Sequence, residues 1–399
     1  MSDSLWEPAL TVRLKRREAR RVAGGHPWVF ANEIDSVAPV GQVSGLCVLQ
    51  DDSKRYIGTG YYNKHSLIAV RLLTRDQEDI FDQAFFHERL VLARERRAVC
   101  YGQNDAFRWV FGESDGLPGL VAEVYPDLTV IQVTTHGMEL LQPLWEPPLR
   151  ELAGDAPLLF RNDSSARRHE DLSTYVGYPD GPPPAFIEFE EAGAPAVAFP
   201  RSGPGTGYYL DQRENRLFAR RLSAGADVLD LFSYTGAFGL GCLSAGARRA
   251  TFVDRSQVAL DAAVRAAHRL PGGAATEAVC GEALEYLSSV VKEGRKFDLV
   301  IADPSTFISS RKSFASGSRA YLGLFRDAMV ATRPGGHAAL CSRSYHVKDS
   351  DFEDMLEAAA QRSGRAVQYI WRSGAGPDHP RPASMPEAHY LKCAFLRVD

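Results

Sequence analysis

The stretch Asp230–Ala247, DLFSYTGAFGLGCLSAGA, decides the fold. It leaves the apolar run DVLDLF at 227–232, turns through a glycine and enters a segment of small and apolar residues, so it reads strand, turn, helix. Three further runs share that character: RRATFVD at 248–254, FDLVIAD at 297–303 and GGHAALCS at 335–342. Continuous apolar runs with helical stretches between them mark strands buried on both faces. From about Gly207 onward the chain therefore reads as a parallel, doubly wound α/β sheet. Ligands in such sheets sit beyond the carboxyl ends of the strands.

The residues expected at those ends are acids. A glycine turn lets backbone amides approach a bound cofactor, because glycine has no Cβ. The G-x-G-x-x-G spacing of a dinucleotide site is absent, and Asp230 at the first strand's end disfavours a pyrophosphate. The second strand ends at Asp254, whose carboxylate can accept both hydroxyls of a ribose. Glu282, in VCGEALEYL at 279–287, follows the next short strand, where an acceptor meets an adenine amino group. The fourth strand ends at Asp303 in DPSTF, which sets a carboxylate, a proline-stiffened turn and an aromatic face side by side. Taken alone, Asp303 also fits the lesser reading of an N-capped turn. Acids at successive strand tips suit a sulfonium cation better than a phosphate, so the pocket reads as a site for S-adenosylmethionine.

Upstream the pattern differs. GLCVLQ, YIGTGYY and LIAVRLLT, between 45 and 74, are short β runs separated by turn residues, which predicts a small barrel-like module. RLKRREARR at 13–21 holds six basic residues in nine and is expected as a basic helix in front of it. DIFDQAFFHERLVLARERRAVC at 79–100 has helical spacing, and strands broken by Asp-Gly and Pro-Gly turns fill 105–190 as an α+β region. The expected domains are 1–74, 75–190 and 191–399. A net charge of −4 gives no global nucleic-acid footprint, although local charge can supply one. Six cysteines without C-x-x-C spacing support neither a zinc site nor a disulfide framework, and no metal-ligand cluster is evident. No apolar window reaches membrane-spanning length and no secretory signal is recognisable, which leads us to expect a cytoplasmic chain without a membrane partner.

GHPWVFANEI at 25–34, GTGYYNKHSLIAVRLL at 58–73, GESDGLPGLVAEVYPD at 112–127, TGYYLDQRENR at 206–216 and DHPRPASMPEAHYLK at 378–392 span nearly the whole chain. In these stretches it resembles the bacterial large-subunit ribosomal RNA cytosine-5 methyltransferases that carry an N-terminal PUA domain. The resemblance implies an N-terminal PUA-like RNA-binding domain, a small central α+β domain and a C-terminal Rossmann-like class I methyltransferase domain. It implies S-adenosylmethionine lying against Tyr209, Gln212, Asp230, Phe232, Ser233, Tyr234, Thr235, Gly236, Asp254, Arg255, Glu282 and Ala283, with Asp303 by the methyl. It further implies large-subunit ribosomal RNA as substrate, gripped in part by Arg13, Lys15, Arg16, Arg17 and Arg20, and admits a homodimer.

One departure bears on the chemistry. Carbon-5 of cytosine is a poor nucleophile, and the family activates it by adding a cysteine thiolate to carbon-6. That cysteine lies in an S-C-S motif after the Gly-Gly turn. Here the stretch is PGGHAALCSRSYHV at 334–347, and the position falls on Arg343 between Ser342 and Ser344. Cys341 is the alternative nucleophile. On a continuing strand it would share Arg343's face, about 7 Å away. Asp303 is followed by Pro304-Ser305-Thr306 where the family has a second proline. Tyr345 and His346, just beyond Arg343, are candidates to face the target base.

Overall fold

The computed structural model describes residues 6–102, 104–271 and 275–399. The chain forms two compact units. One takes in the chain through Ala185 together with Phe199–Tyr208 and Pro377–Pro386; the other comprises Phe186–Ala198, Tyr209–Gly376 and Glu387–Asp399.

The first unit begins with β1 (Leu10–Leu14), α1 (Ala19–Ala23), β2 (Trp28–Val29), β3 (Ile34–Ala38), β4 (Ser44–Gln50), β5 (Tyr56–Asn63) and β6 (Val70–Thr74). Among the described residues these strands form a six-stranded sheet in the order β2-β6-β5-β4-β1-β3. The expected basic helix is largely absent. Arg13 and Leu14 belong to β1, a turn follows, and α1 is five residues long, because Val12 and Leu14 are drawn into the sheet's core. After α2 (Gln83–Ala98) come β7 (Phe107–Phe111), β8 (Leu120–Tyr125), β9 (Leu128–Val133), α3 (His136–Leu140), α4 (Gln142–Ala153), β10 (Leu158–Asn162) and β11 (Tyr175–Gly177). The five strands lie in the order β11-β10-β9-β8-β7, with β9 and β10 parallel and joined through α3 and α4. A buried polar network ties the two sheets. Trp28 Nε1 donates to Glu113 Oε1 at 2.8 Å, Arg71 Nη1 to the same oxygen at 2.6 Å, and Asn63 Nδ2 to Glu170 Oε2 at 2.9 Å. Such groups are held because leaving any one of them unpaired would cost about 1–3 kcal/mol.

The second unit opens with the hairpin β12 (Ile187–Glu191) and β13 (Ala194–Ala198). It continues through α5 (Arg213–Arg221), β14 (Asp227–Leu231), α6 (Ala237–Ser244), β15 (Arg249–Asp254), α7 (Gln257–His268), β16 (Ala275–Cys280), α8 (Ala283–Lys292) and β17 (Phe297–Ala302). It ends with α9 (Phe314–Ala331), β18 (Thr332–Ser342), α10 (Asp349–Ser363), β19 (Val367–Ser373) and β20 (Lys392–Val398). Seven strands among the described residues make one sheet, β16-β15-β14-β17-β18-β20-β19, parallel except for β20, which runs antiparallel to both neighbours. The α/β reading holds. The strand order reverses between β14 and β17, and a doubly wound sheet opens its ligand crevice at such a reversal. Leu229, Leu231, Val300, Ala302, Tyr321, Phe325 and Phe352 are among the residues of the core beneath it. Gly236 holds φ +73°, and a Cβ there would come within 2.7 Å of the Ala263 Cβ, so the turn admits only glycine.

Candidate active site

The loop from β14 to α6 is shaped by backbone strain. Phe232 sits at φ +60° and Tyr234 at φ +48°, alternating with ordinary residues before Gly236. A left-handed conformation costs a non-glycine residue roughly 1–2 kcal/mol, so surrounding bonds must hold it. Asp254 supplies one: its Oδ2 accepts from the Tyr234 amide at 2.8 Å while Oδ1 accepts from the Ser256 amide at 2.9 Å. Asp230 supplies another from below. It is 2% exposed, and its Oδ2 accepts from the Gly239 amide at 2.9 Å in the first turn of α6. Burial pushes its pKa up to about 7, against that hydrogen bond, with the charges of Asp303 and Asp254 adding to the rise. Sequence reasoning sets Asp230 at the first strand's end, among the residues against the cofactor; in the structure its Oδ2 meets the first turn of α6.

On the loop, Ser233 Oγ and Thr235 Oγ1 are buried and have no protein hydrogen-bond partner, while Gln212, fully buried, faces the Cys341 thiol. Orphaned buried polar atoms are rare in folded proteins, and two hydroxyls on the loop at one strand tip fit a polar ligand. Glu282 stands just ahead of α8 and is exposed, as is Arg255, 3.5 Å from it; Ala283, the first residue of α8, is buried. That exposed ion pair contributes little to stability and leaves the carboxylate available to a ligand.

Asp303 directly follows β17. β18 stops at Ser342, one residue short of Arg343, so Arg343 is not on the strand with Cys341. The guanidinium lies between two acids: Nε and Nη2 reach Asp303 at 3.1 and 3.0 Å, and Nη1 donates to Asp211 Oδ2 at 2.7 Å. Its Cζ stands 4.3 Å from the Tyr209 ring centroid, and Tyr390 Oη donates to Asp211 Oδ2 at 2.6 Å. Burial alone would lower the Arg343 pKa, but Asp211 and Asp303 outweigh it and hold the guanidinium well above its ordinary value. Two carboxylates around one guanidinium leave the trio formally negative, which suits a neighbouring sulfonium. Cys341 is 0% exposed, pairs with Cys393 across β18 and β20, and brings its Sγ to 3.1 Å from that thiol. Burial, then Cys393, then Asp303 push its pKa well up, so it is a neutral thiol.

The structure thus gathers Tyr209, Gln212, the loop 232–236, Asp254 and Asp303 at the tips of β14, β15 and β17, with Arg343 among them. Sequence reasoning misses Asp211 and Tyr390. Asp211 stands inside the quoted YYLDQR, but nothing in its spacing says that it meets a residue 132 positions away. His379 is buried beside Asp378 in the other unit, and His389 bonds Asp349. Lys15, Arg16, Arg17 and Arg20 are exposed in the first unit, whereas Arg13 is half-buried. No helix among the described residues is long and apolar enough to cross a membrane.

A doubly wound sheet of this order, with acids and orphaned hydroxyls at its reversal point, defines an S-adenosylmethionine-dependent methyltransferase. Two family models agree: a PUA-like domain matches residues 12–75, and an S-adenosylmethionine-dependent methyltransferase matches 199–396. Over 378 residues the chain is 33% identical to ribosomal RNA large subunit methyltransferase I of Alteromonas mediterranea, covering 94% of this chain and 95% of that protein. It is also 33% identical over 403 residues to the protein of that name from Klebsiella pneumoniae, covering 100% of both chains. The chain belongs to the ribosomal RNA large subunit methyltransferase I family. A candidate S-adenosylmethionine-dependent methyltransferase from Streptococcus mutans superposes with a TM-score of 0.82 at 18% identity, over 97% of this chain and 100% of that one, which shows the same fold. The cofactor is S-adenosylmethionine, which supplies the methyl group.

Proposed function

We propose that the protein methylates large-subunit ribosomal RNA, and that the atom it methylates carries its own lone pair: a ring nitrogen, an exocyclic amine or a ribose hydroxyl. The observation that carries this reading is Arg343. By the resemblance it falls at the position where cytosine-5 chemistry needs a thiolate; it is bound by Asp303 and Asp211, and a guanidinium has no lone pair to add to carbon-6. The alternative nucleophile, Cys341, is buried and neutral. A lone-pair acceptor needs only placement beside the methyl and a group to take its proton, and Asp303 at the tip of β17 can orient an amine.

The assay is transfer of tritiated methyl to unmodified large-subunit RNA, followed by digestion to nucleosides. An N- or O-methylated nucleoside is expected. Production of 5-methylcytidine, together with a covalent complex on 5-fluorocytosine RNA that vanishes in Cys341→Ala, would overturn the lone-pair reading. Bound cofactor with no transfer to any RNA fragment would leave a protein that binds RNA and cofactor without catalysis. The three-domain division at 74/75 and 190/191, self-association into a homodimer and placement in the cytoplasm belong to the same proposal; sedimentation as a monomer at every concentration sinks the dimer.

The RNA grip of the N-terminal module is assigned to Arg13, Lys15, Arg16, Arg17 and Arg20. Arg17 is held at φ +73°, and Arg17, Arg20 and Arg21 line one surface hollow with Glu18 and Glu33. Replacing Arg16, Arg17 and Arg20 by Ala is expected to weaken RNA binding and to flatten its salt dependence, by roughly one unit of log–log slope for each phosphate that is no longer neutralised. An unchanged slope would place the RNA grip elsewhere.

A further inference from the structure

We infer that Tyr345, backed by Tyr390, is the stacking platform for the nucleobase presented to the methyl-transfer site; this rests on RNA being the substrate. Tyr345 is 66% exposed, and its ring meets that of Tyr390 at 5.5 Å between centroids with 36° between planes. Tyr390 is fixed at its other end by the hydrogen bond from its hydroxyl to Asp211, the oxygen that also receives Arg343. A continuous path therefore runs from Asp303 through Arg343, Asp211 and Tyr390 to an aromatic face in solvent.

The exposure of Tyr345 does not come from a loose loop. Ser344 and Val347, close by on either side of it, are each 1% exposed, and Ser344 Oγ donates to the Ile308 carbonyl at 2.6 Å. Lys392, 3% exposed, joins the two segments: its ammonium donates to the carbonyls of Ser344 at 3.1 Å, His389 at 2.9 Å and Tyr390 at 3.4 Å. A buried lysine is costly unless its donors are used, and here it fastens the segments that carry the two rings. An aromatic face held rigid beside an acid and guanidinium cluster is the kind of surface on which a splayed RNA base stacks. Lys392 is a positioning residue for that surface.

The test compares wild type with Tyr345→Ala, Tyr345→Phe and Tyr345→Trp in methyl transfer to large-subunit RNA. The platform predicts a rise of about tenfold or more in KM for RNA in Tyr345→Ala, with kcat moved less. Cofactor affinity and melting temperature should be unchanged, and the Phe and Trp variants should stay near wild type. An RNA KM within twofold of wild type in Tyr345→Ala, or a loss that Phe and Trp fail to restore, removes the platform while leaving the RNA reading intact. A wild-type protein that methylates no RNA removes both.

Discussion

Arg343→Ala is expected to lower the stability of the second unit by about 3–5 kcal/mol, the usual cost of deleting one partner from a buried charge cluster. The side chains of Arg343, Asp211 and Asp303 are 12%, 7% and 11% exposed, so neither acid can turn to bulk water when the cation is gone. Both would have to take up protons or repel each other, and Tyr209 would lose the cation over its ring. Methyl transfer should fall with stability, since Asp303 would no longer be held toward the strand tip. Arg343→Lys keeps a charge but cannot reach two carboxylates with one fork, so it should recover only part of the loss. Urea unfolding followed by a probe in this unit measures the effect. A midpoint within the equivalent of about 1 kcal/mol of wild type for Arg343→Ala would show that the acids are already solvated, and would end the account of Arg343 as the centre of the cluster.

Much of this site is legible in the sequence because sheet geometry is local. An apolar run ending in an acid places that acid at a strand tip wherever the run lies, so Asp254, the last residue of β15, and Asp303, the first after β17, can be set at the tips from sequence alone. The glycine turn after β14 is legible for the same reason. Direction and partnership are not. Asp230 has the same run-then-acid signature, yet its carboxylate faces the first turn of α6, because α6 packs close enough for the Gly239 amide to reach it. Asp211 and Tyr390 lie far along the chain from Arg343 and are joined to it only by the folded sheet. The basic run at 13–21 misleads about shape, since six charges suggest a helix while Val12 and Leu14, alternating, draw its start into β1. Arg343 is singled out by the sequence, but its two acidic partners are not.

Asp230 leads to the second large effect, this one dependent on pH. Its folded-state pKa of about 7 lies above the ordinary carboxylate value of 3.8. Below about pH 4 the group is protonated in folded and unfolded chains alike and costs nothing. Between about pH 4 and 7 the unfolded chain releases the proton while the folded one keeps it, so stability declines as pH rises, and above about 7 the penalty is constant. At about 1.4 kcal/mol for each pH unit across that window, the group withdraws about 4 kcal/mol in all. Asp230→Asn has a similar shape, can still accept from the Gly239 amide, and cannot ionise. Its stability relative to wild type should therefore increase steadily from about pH 4 to about pH 7 and then level off. Unfolding free energies of the two proteins at several pH values give the comparison directly. Parallel curves across the window would mean that Asp230 ionises in the folded chain as easily as in water, which its 2% exposure argues against. The buried acid under α6 thus acts as a support whose charge the fold disfavours, whereas Asp254 and Asp303, at the neighbouring tips, are only partly buried.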